Sequence, residues 1–187
     1  MHIWIDIDNP KHVPFYKLLT SELKHRGHET IVTAQDSREV KKALEEHKFN
    51  VQIIGKFISL FGLLEHQSAT WRSNKLYYFL ISKKIDIAFS LGSSFISSYN
   101  CYYLKIPIIV FLSNENKKIN WAYINSNKVF FIVHNASAEK LLLENGIAKK
   151  KIITCNFFQE IANPGFKAIE ELCSSIETLS NFRDISA

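Results

Sequence analysis

The stretch that decides the fold lies at the start of the chain, where residues 2–15 are HIWIDIDNPKHVPF. Its first six residues are rich in Ile and Trp and alternate in character, which is typical of a β-strand. The Asn9-Pro10 pair that follows is a turn signal. Apolar residues then recur at helical spacing over 13–26, and Gly27 is placed to end that helix. The stretch therefore predicts a strand, a polar loop and a helix, which is the first part of a β-α-β unit.

The alternation of strands and helices continues along the chain. Three later strands are short and nearly all apolar, as expected of central strands that helices cover on both faces. The pattern predicts an α/β fold: a Rossmann-like three-layer α/β/α domain with a mostly parallel sheet of about six or seven strands. The later strands are predicted over 29–34, 51–54, 85–91, 106–112, 129–133 and 151–154, and the later helices over 37–47, within 57–84, and over 93–103, 137–145 and 166–179.

Length and composition limit the organisation to one main core. The chain has 187 residues, of which 47% are hydrophobic, and this argues against two full domains. We predict one domain over residues 1–160. The breaker Asn163-Pro164-Gly165 follows, so residues 161–187 are predicted to form a C-terminal tail with one helix.

Charge and cysteine usage exclude several classes of function. The net charge is +5, but the basic runs at 117–118 and 149–151 are short and separate, so no nucleic-acid interface is expected. Weak attraction to anionic lipid is the alternative that this charge leaves open. The cysteines lack zinc spacing, and their odd number fits a reducing cytoplasm, so we expect a cytoplasmic protein without a metal site. No apolar run approaches the roughly 18 residues of a membrane span.

The first loop carries most of the candidate chemistry. In an open parallel sheet, ligands bind beyond the carboxyl ends of the strands, near the point where the strand order reverses. Asp6 and Asp8 have the period-two spacing that places both on one side of a strand end. Asn9 lies in the turn, and His12 lies near a helix N-terminus, which attracts anions. The simpler alternative is that Asp8 or Asn9 only caps the helix and that His12 is a surface residue.

Two further loops belong to the same predicted edge. Gly92 would let a ligand approach the backbone, and Ser93 and Ser94 offer hydroxyls, although plain capping by serine explains them equally well. Neither the P-loop pattern nor the dinucleotide fingerprint is present, and no cofactor is expected. Asn114 and Glu115 suit recognition of sugar hydroxyls, or else belong to a solvated loop. The apolar stretch 57–64 either packs in the core or contacts a lipid or a partner.

Several of these segments resemble one family. The opening HIWIDIDNPKHVPF, LKHRGHE at 23–29, DIAFSLGS at 86–93 and IPIIVF at 106–111 resemble the DUF354 family over about residues 1–160. That family is similar to GT-B glycosyltransferases and UDP-N-acetylglucosamine 2-epimerases. The resemblance implies the N-terminal Rossmann-like half of a GT-B-like fold, which commonly binds the acceptor, whereas the C-terminal half holds the nucleotide sugar. It supports the site positions Asp6, Asp8, Asn9, His12, Gly92 and Ser93.

Two departures from the family pattern affect what the resemblance implies. Only Glu115 remains of the acidic segment after the fifth strand, and CNFFQE at 155–160 lacks the family's glycine. The residues after 160 are too few for a second nucleotide-binding half. We therefore expect a truncated chain, a split enzyme whose partner chain supplies the donor domain, or a domain that has lost catalysis.

The functional expectation is an acceptor-binding half of a glycosyltransferase, with Asp8 or His12 as general base on an acceptor hydroxyl. A sugar or lipid-linked acceptor and peripheral membrane contact fit the apolar stretch 57–64 and the basic charge. The alternatives are a non-catalytic binding or assembly module, or an epimerase-like half, so whether the chain is an enzyme stays open. A self-sufficient enzyme for phosphorylated ligands is disfavoured, because the phosphate fingerprints are missing.

Overall fold

The computed structural model describes residues 1–56, 65–92, 94–112, 126–155 and 165–181. Short 3-10 turns also occur at Pro10–His12 and Lys149–Lys151. Within the described ranges, the strands are β1 (His2–Ile7), β2 (Glu29–Asp36), β3 (Gln52–Lys56), β4 (Ile87–Leu91), β5 (Ile108–Leu112), β6 (Val129–Val133) and β7 (Ile152–Thr154), and the helices are α1 (Val13–His25), α2 (Arg38–Glu46), α3 (Glu65–Ile81), α4 (Phe95–Leu104), α5 (Ala136–Glu144) and α6 (Phe166–Asn181).

All described strand pairs are parallel, and the sheet order is β3-β2-β1-β4-β5-β6-β7. This arrangement confirms the predicted Rossmann-like α/β sheet. The chain adds strands outward from β1 on one side and from β4 on the other. The strand order therefore reverses between β1 and β4, and in open parallel sheets ligands commonly bind beyond the carboxyl ends of the strands at such a point.

The two faces of β1 pack against different helix layers. Ile3, Ile5 and Ile7 belong to the core cluster formed with α1, α2 and α6. Trp4 belongs to the second cluster, with buried residues of α3, α4 and α5. Because side chains alternate along a strand, Asp6 shares the face of Trp4. The sequence could not decide which residues of β1 face which layer, and this arrangement settles it.

Helix and strand ends differ from the predicted ones by a few residues, for local reasons. Ser37 caps α2, because its hydroxyl accepts from the backbone N–H of Val40 at 3.2 Å. Ser94 caps α4 in the same way, so that helix begins at Phe95, two residues after the predicted start. Both caps follow the usual preference for serine at this position.

The closing helix α6 belongs to the same core as the sheet. Its buried residues include Ile169, Leu172 and Ile176, which pack in the cluster of the α1 layer. Arg26, at the end of α1, donates to Glu177 of α6 at 3.1 Å and to the backbone oxygen of Glu170 at 2.9 Å. Apolar burial and these polar contacts together fix α6 against α1.

The three cysteines are small core residues. None forms a disulfide, and all are buried. Burial raises the pKa of Cys173 to about 12, and it raises the pKa of Cys101 and Cys155 as well. Thiols that hold their protons so firmly are poor nucleophiles.

Gly55 in β3 leaves room for an arginine from α3. Its backbone has φ +79°, and a Cβ at this position would lie 2.7 Å from Cγ of Arg72. Gly146 has a similar φ of +81°, but a Cβ there would have no neighbour within 4 Å. The two glycines therefore separate the cost of backbone conformation from the cost of the clash.

We expect Gly55→Ala to lower the free energy of unfolding by about 2–4 kcal/mol, since strain and overpacking add. Gly146→Ala should cost only about 1 kcal/mol, from its left-handed backbone alone. Urea unfolding of both variants measures the difference. Equal losses would show that Arg72 does not press on Gly55.

Candidate functional site

A buried ion pair lies near the end of β1. Nη2 of Arg72, from α3, donates to Oδ1 of Asp6 at 2.7 Å, and the two side chains are 2% and 0% exposed. Nε of the same arginine donates to the backbone oxygen of Ile54 in β3 at 3.1 Å. The guanidinium of α3 is thus joined to β1 and β3 by charge-assisted hydrogen bonds.

A chain of hydrogen bonds reaches the same carboxylate from β2. Thr33 is the register partner of Asp6 in the neighbouring strand. Its hydroxyl donates to Oδ1 of Asp6 at 2.6 Å and accepts from the indole N–H of Trp4 at 3.0 Å. Arg72 and Thr33 therefore both donate to one oxygen of Asp6.

Some buried polar atoms of β1, α3 and α4 lack hydrogen-bond partners in the part of the chain that the structure describes. Among the described residues, Oδ2 of Asp6, Nη1 of Arg72 and Oδ1 of Asn100 are buried without a hydrogen bond. Asn100 lies in α4, where its amide nitrogen donates to Ser73 of α3 at 3.0 Å. Because buried polar groups are nearly always paired, unpaired atoms in one cluster mark a place where stability is not optimised.

Asp8 lies just beyond β1 and is half-buried. Burial raises the pKa of its carboxyl above the usual value, and the charge of Asp6 raises it further. A hydrogen bond from Ser94 and the charge of Arg72 act in the opposite direction. Asp8 is therefore a carboxyl with increased proton affinity, at the point where the strand order reverses.

The rest of the first loop is held by local contacts. Oδ1 of Asn9 accepts from the backbone N–H of Lys11 at 3.0 Å and so caps the 3-10 turn. His12 occupies the cap position of α1, and its ring stands edge-on to Tyr16 with 6.2 Å between centroids. The Tyr16 hydroxyl accepts from the backbone N–H of Leu91 at 2.9 Å, which ties α1 to the end of β4.

The second loop follows β4, the strand next to β1 in the sheet. Gly92 has φ +72°, which favours glycine, and its N–H donates to Phe111 in β5 at 2.8 Å. Ser94 accepts from the backbone N–H of Ser97 at 3.4 Å and is also hydrogen-bonded to Asp8. Both interpretations of Ser94, as a cap and as a site residue, are therefore compatible with its contacts.

Three of the predicted site residues, Ser93, Asn114 and Glu115, lie outside the described residues, as does the apolar stretch 57–64. The other six predicted site residues all lie at or next to one carboxyl edge of the sheet: Asp6, Asp8, Asn9, His12, Gly92 and Ser94. Asp6 differs from the others, because its side chain is fully buried in the ion pair. Their roles in ligand binding stay predictions.

His134 adds an imidazole to the same edge, next to β5. Its Nδ1 lies 3.3 Å from the backbone oxygen of Leu112, and its Nε2 lies 2.9 Å from the amide nitrogen of Asn135. A carbonyl can only accept and an amide nitrogen can only donate, so in this arrangement Nδ1 faces an acceptor and Nε2 faces a donor. Asn135 also caps α5 by accepting from Ala138 at 2.7 Å.

Sequence reasoning missed Arg72, although a signal for it exists. In α3 the buried positions Arg72, Leu76 and Leu80 form one stripe at spacing i, i+4, i+8. A single charged residue in an otherwise apolar stripe indicates that a residue of opposite charge lies in the element against which the helix packs. The partner itself was not predictable, because it lies 66 residues away in the chain.

A groove of about 310 Å³ lies away from this edge, between α2 and β3. Lys41, Glu45 and Lys48 line it, together with apolar residues that include Leu44 and Phe49. We favour the carboxyl edge as the site, because the buried charges and the carboxyl with raised pKa lie there. Surface lysines at an edge strand need no ligand to explain them.

Within the part of the chain that the structure describes, no three His, Cys, Asp or Glu side chains gather as a metal site. The helices among these residues are too short or too polar to cross a membrane.

The ion pair can be tested by a double-mutant cycle. Arg72→Met should lower the free energy of unfolding by about 3–5 kcal/mol, because it leaves a buried carboxylate without its counter-charge. Asp6→Asn/Arg72→Met should be clearly more stable than Arg72→Met, since neither charge remains. Chemical denaturation of the variants measures the cycle. Additive losses would show that the two residues do not interact.

Several solved structures share the fold of this chain. UDP-GlcNAc 2-epimerase from Neisseria meningitidis, bound to UDP-GlcNAc, is 17% identical with a TM-score of 0.63, over 96% of this chain and 50% of that one. The 2-epimerase from Methanocaldococcus jannaschii, in complex with UDP-GlcNAc and UDP, is 14% identical with a TM-score of 0.65, over 82% and 46%. Acinetobacter baumannii MurG is 11% identical with a TM-score of 0.59, over 82% and 45%.

These matches show the fold alone, and this chain spans about half the length of each of them. The predicted likeness to one half of a GT-B-like fold is confirmed at that level. No curated protein matches the chain. The model of a family described as a protein of unknown function, DUF354, matches residues 1–171, as the opening motif predicted. The chain therefore belongs to the DUF354 family.

Proposed function

We propose that this chain is the acceptor-side half of a GT-B-like enzyme that acts on a nucleotide sugar, with Asp8 as the proton acceptor. The observation that carries the proposal is the Asp8 carboxyl, which lies where the strand order reverses and whose pKa is raised. A general base works best when its pKa lies close to the working pH, and burial moves a carboxyl in that direction.

The surroundings of Asp8 suit a sugar hydroxyl. A carboxylate accepts hydrogen bonds and donates none when ionised, so it matches the O–H groups of a sugar. The Ser94 hydrogen bond fixes the orientation of Asp8 and keeps it beside the N-terminus of α4. His12, at the start of α1, lies in the same loop and is the second candidate for proton transfer.

Binding of the nucleotide part of the substrate is assigned to a second half of the proposed enzyme. The matched structures are about twice as long as this chain, and two of them were solved with UDP-GlcNAc. In the proposed enzyme, a segment or partner chain outside these 187 residues holds the donor. This chain then presents a sugar or a lipid-linked acceptor to it, in the cytoplasm or at the membrane surface, through Asn9, Gly92, Ser93, Ser94, Asn114 and Glu115.

An epimerase-like half is the second candidate, and the likeness to two 2-epimerase structures favours it. It would use the same edge but would act on the nucleotide sugar itself. The two candidates differ in whether this edge accepts a free sugar without a nucleotide.

We expect free N-acetylglucosamine, titrated into the ¹⁵N-labelled chain, to shift the amide signals of Asp8, Asn9, Lys11 and His12 and those of residues 92–94. Asp8→Asn should weaken binding roughly tenfold, because a charge-assisted hydrogen bond is lost. UDP alone should cause little change at this edge. The dissociation constants come from the shift titrations.

Glu144→Gln is the matched control, because it removes one carboxylate at the exposed C-terminal end of α5. It should bind the sugar as the wild type does. Wild-type affinity in Asp8→Asn, or sugar-induced shifts confined to other surfaces, would contradict the proposed site. Tight binding of UDP at this edge would favour the epimerase-like half.

A further inference from the structure

The outward side of helices α3 and α4 concentrates the large apolar side chains that the described residues expose. Nine such side chains are exposed in the described ranges, and six of them belong to these two helices. The six include every exposed aromatic residue of the nine: Trp71, Tyr78, Ile81, Phe95, Tyr102 and Tyr103. Single exposed apolar residues are ordinary, but a concentration of them marks a surface that contacts something else.

These six residues point to the same side of the molecule. Leu76 and Leu80 of α3 and Cys101 of α4 are buried in one core cluster, so both helices cover the same face of the sheet. The two helices also contact each other, since the side-chain amide of Asn100 donates to Ser73 at 3.0 Å. In each helix the exposed residues lie opposite the buried ones. We call the surface that the six form the α3–α4 face.

The charges that accompany the α3–α4 face are almost all positive. Residues 66–112 contain a single acidic side chain, Asp86, which accepts from the backbone N–H of His2 at 2.8 Å. The same stretch contains one buried arginine and four exposed lysines, which are Lys75, Lys83, Lys84 and Lys105. A partner that complements this stretch therefore carries negative charge.

Lysine and aromatic side chains are interleaved on this face. Nζ of Lys75 lies 3.8 Å from the ring centroid of Trp71. Along α4, the rings of Phe95, Tyr99 and Tyr103 follow one another with 5.8 and 4.5 Å between centroids. Trp, Tyr and Lys are the residues that proteins place at the headgroup level of a bilayer, because each combines an apolar body with a polar end.

A lipid surface fits these observations better than a second copy or a nucleic acid does. In a two-fold contact between copies, the lysines of one α3–α4 face would meet those of the other. Single-stranded nucleic acid stacks its bases on open aromatic rings, but Tyr99 and Tyr103 pack against each other. Ile81, which is 62% exposed, has no ring on which a base could stack.

We propose that the α3–α4 face docks on the surface of an anionic lipid bilayer. Its aromatic residues and Ile81 enter the headgroup region, and its lysines lie against the lipid phosphates. The residues that carry this proposal differ from the apolar stretch 57–64, to which the sequence assigned lipid contact. The proposal goes beyond the proposed function, because it does not depend on what Asp8 binds.

Co-sedimentation of the chain with large unilamellar vesicles tests the proposal. Vesicles of phosphatidylglycerol and phosphatidylcholine in equal parts should bind the chain, whereas vesicles of phosphatidylcholine alone should bind it far more weakly. Salt at about 1 M, where the Debye length is about 3 Å, should weaken binding to the anionic vesicles. Equal binding to both kinds of vesicle, or binding to neither, would overturn the proposal.

Two double variants of exposed residues locate the contact. Lys75→Gln/Lys83→Gln should lower the partition coefficient on anionic vesicles about 25-fold, since each lysine near such a surface strengthens binding about fivefold. Ile81→Ser/Tyr103→Ser should lower it at least about tenfold, because both helices then lose apolar contact with the bilayer. Wild-type partition in both double variants would refute the assignment to this face.

Lys42→Gln and Leu18→Ser are the matched controls, because they remove an exposed lysine and an exposed apolar residue from α2 and α1. Those helices cover the opposite face of the sheet, so both controls should bind vesicles as the wild type does. Losses in the controls as large as those in the double variants would show general adsorption and would also overturn the proposal.

Two further outcomes would assign the α3–α4 face to another partner and so contradict the proposal. One is a dimer, seen by sedimentation equilibrium without lipid, that Ile81→Ser/Tyr103→Ser dissociates. The other is binding of a single-stranded oligonucleotide that depends on Lys75 and Lys83, with no binding of vesicles. Because sugar binding at Asp8 is measured without lipid, this proposal and the proposed function can fail separately.

Discussion

The ion pair between Asp6 and Arg72 connects the sheet, the α3 layer and the candidate site. It joins β1 to α3, and through the backbone of Ile54 it also reaches β3. Gly55 has a left-handed backbone conformation, and its lack of a Cβ leaves room for the side chain of this arginine. Desolvation makes such a pair a weak source of stability, and well-packed apolar residues often replace one at no cost. The pair lies at the end of β1, close in sequence to Asp8, and its two charges act on the pKa of that carboxyl in opposite directions.

The carboxyl edge concentrates features that work against folding stability. Among the described residues, Oδ2 of Asp6 and Nη1 of Arg72 have no hydrogen-bond partner, and burial together with the charge of Asp6 raises the pKa of the Asp8 carboxyl. A raised pKa means that Asp8 favours folding less as the pH rises through its titration, because the unfolded chain releases that proton more easily. Proteins keep such costs mainly where chemistry requires them.

The fold was predictable because its signals are local. Alternating strand and helix patterns predicted the parallel sheet, and serines such as Ser94 marked helix starts within a residue or two. The site was predictable only in part. Period-two spacing placed Asp6 and Asp8 together but could not tell them apart, since the residue that distinguishes them, Arg72, is distant in sequence and close only through the packing of α3 on the sheet. The sequence also allowed Asn9 and Ser94 to be capping residues, and the structure shows that both of them cap.

We expect the ligand to bind beside Asp8, at the carboxyl edge of the sheet between β1 and β4. A crystal structure of the chain with N-acetylglucosamine tests it most directly. The account predicts a sugar hydroxyl within hydrogen-bond distance of the Asp8 carboxylate, which is about 2.5–3.0 Å. The opposite result is a sugar in the groove between α2 and β3, which Lys41 and Lys48 line, with no sugar beside Asp8. That result would contradict the proposed binding site.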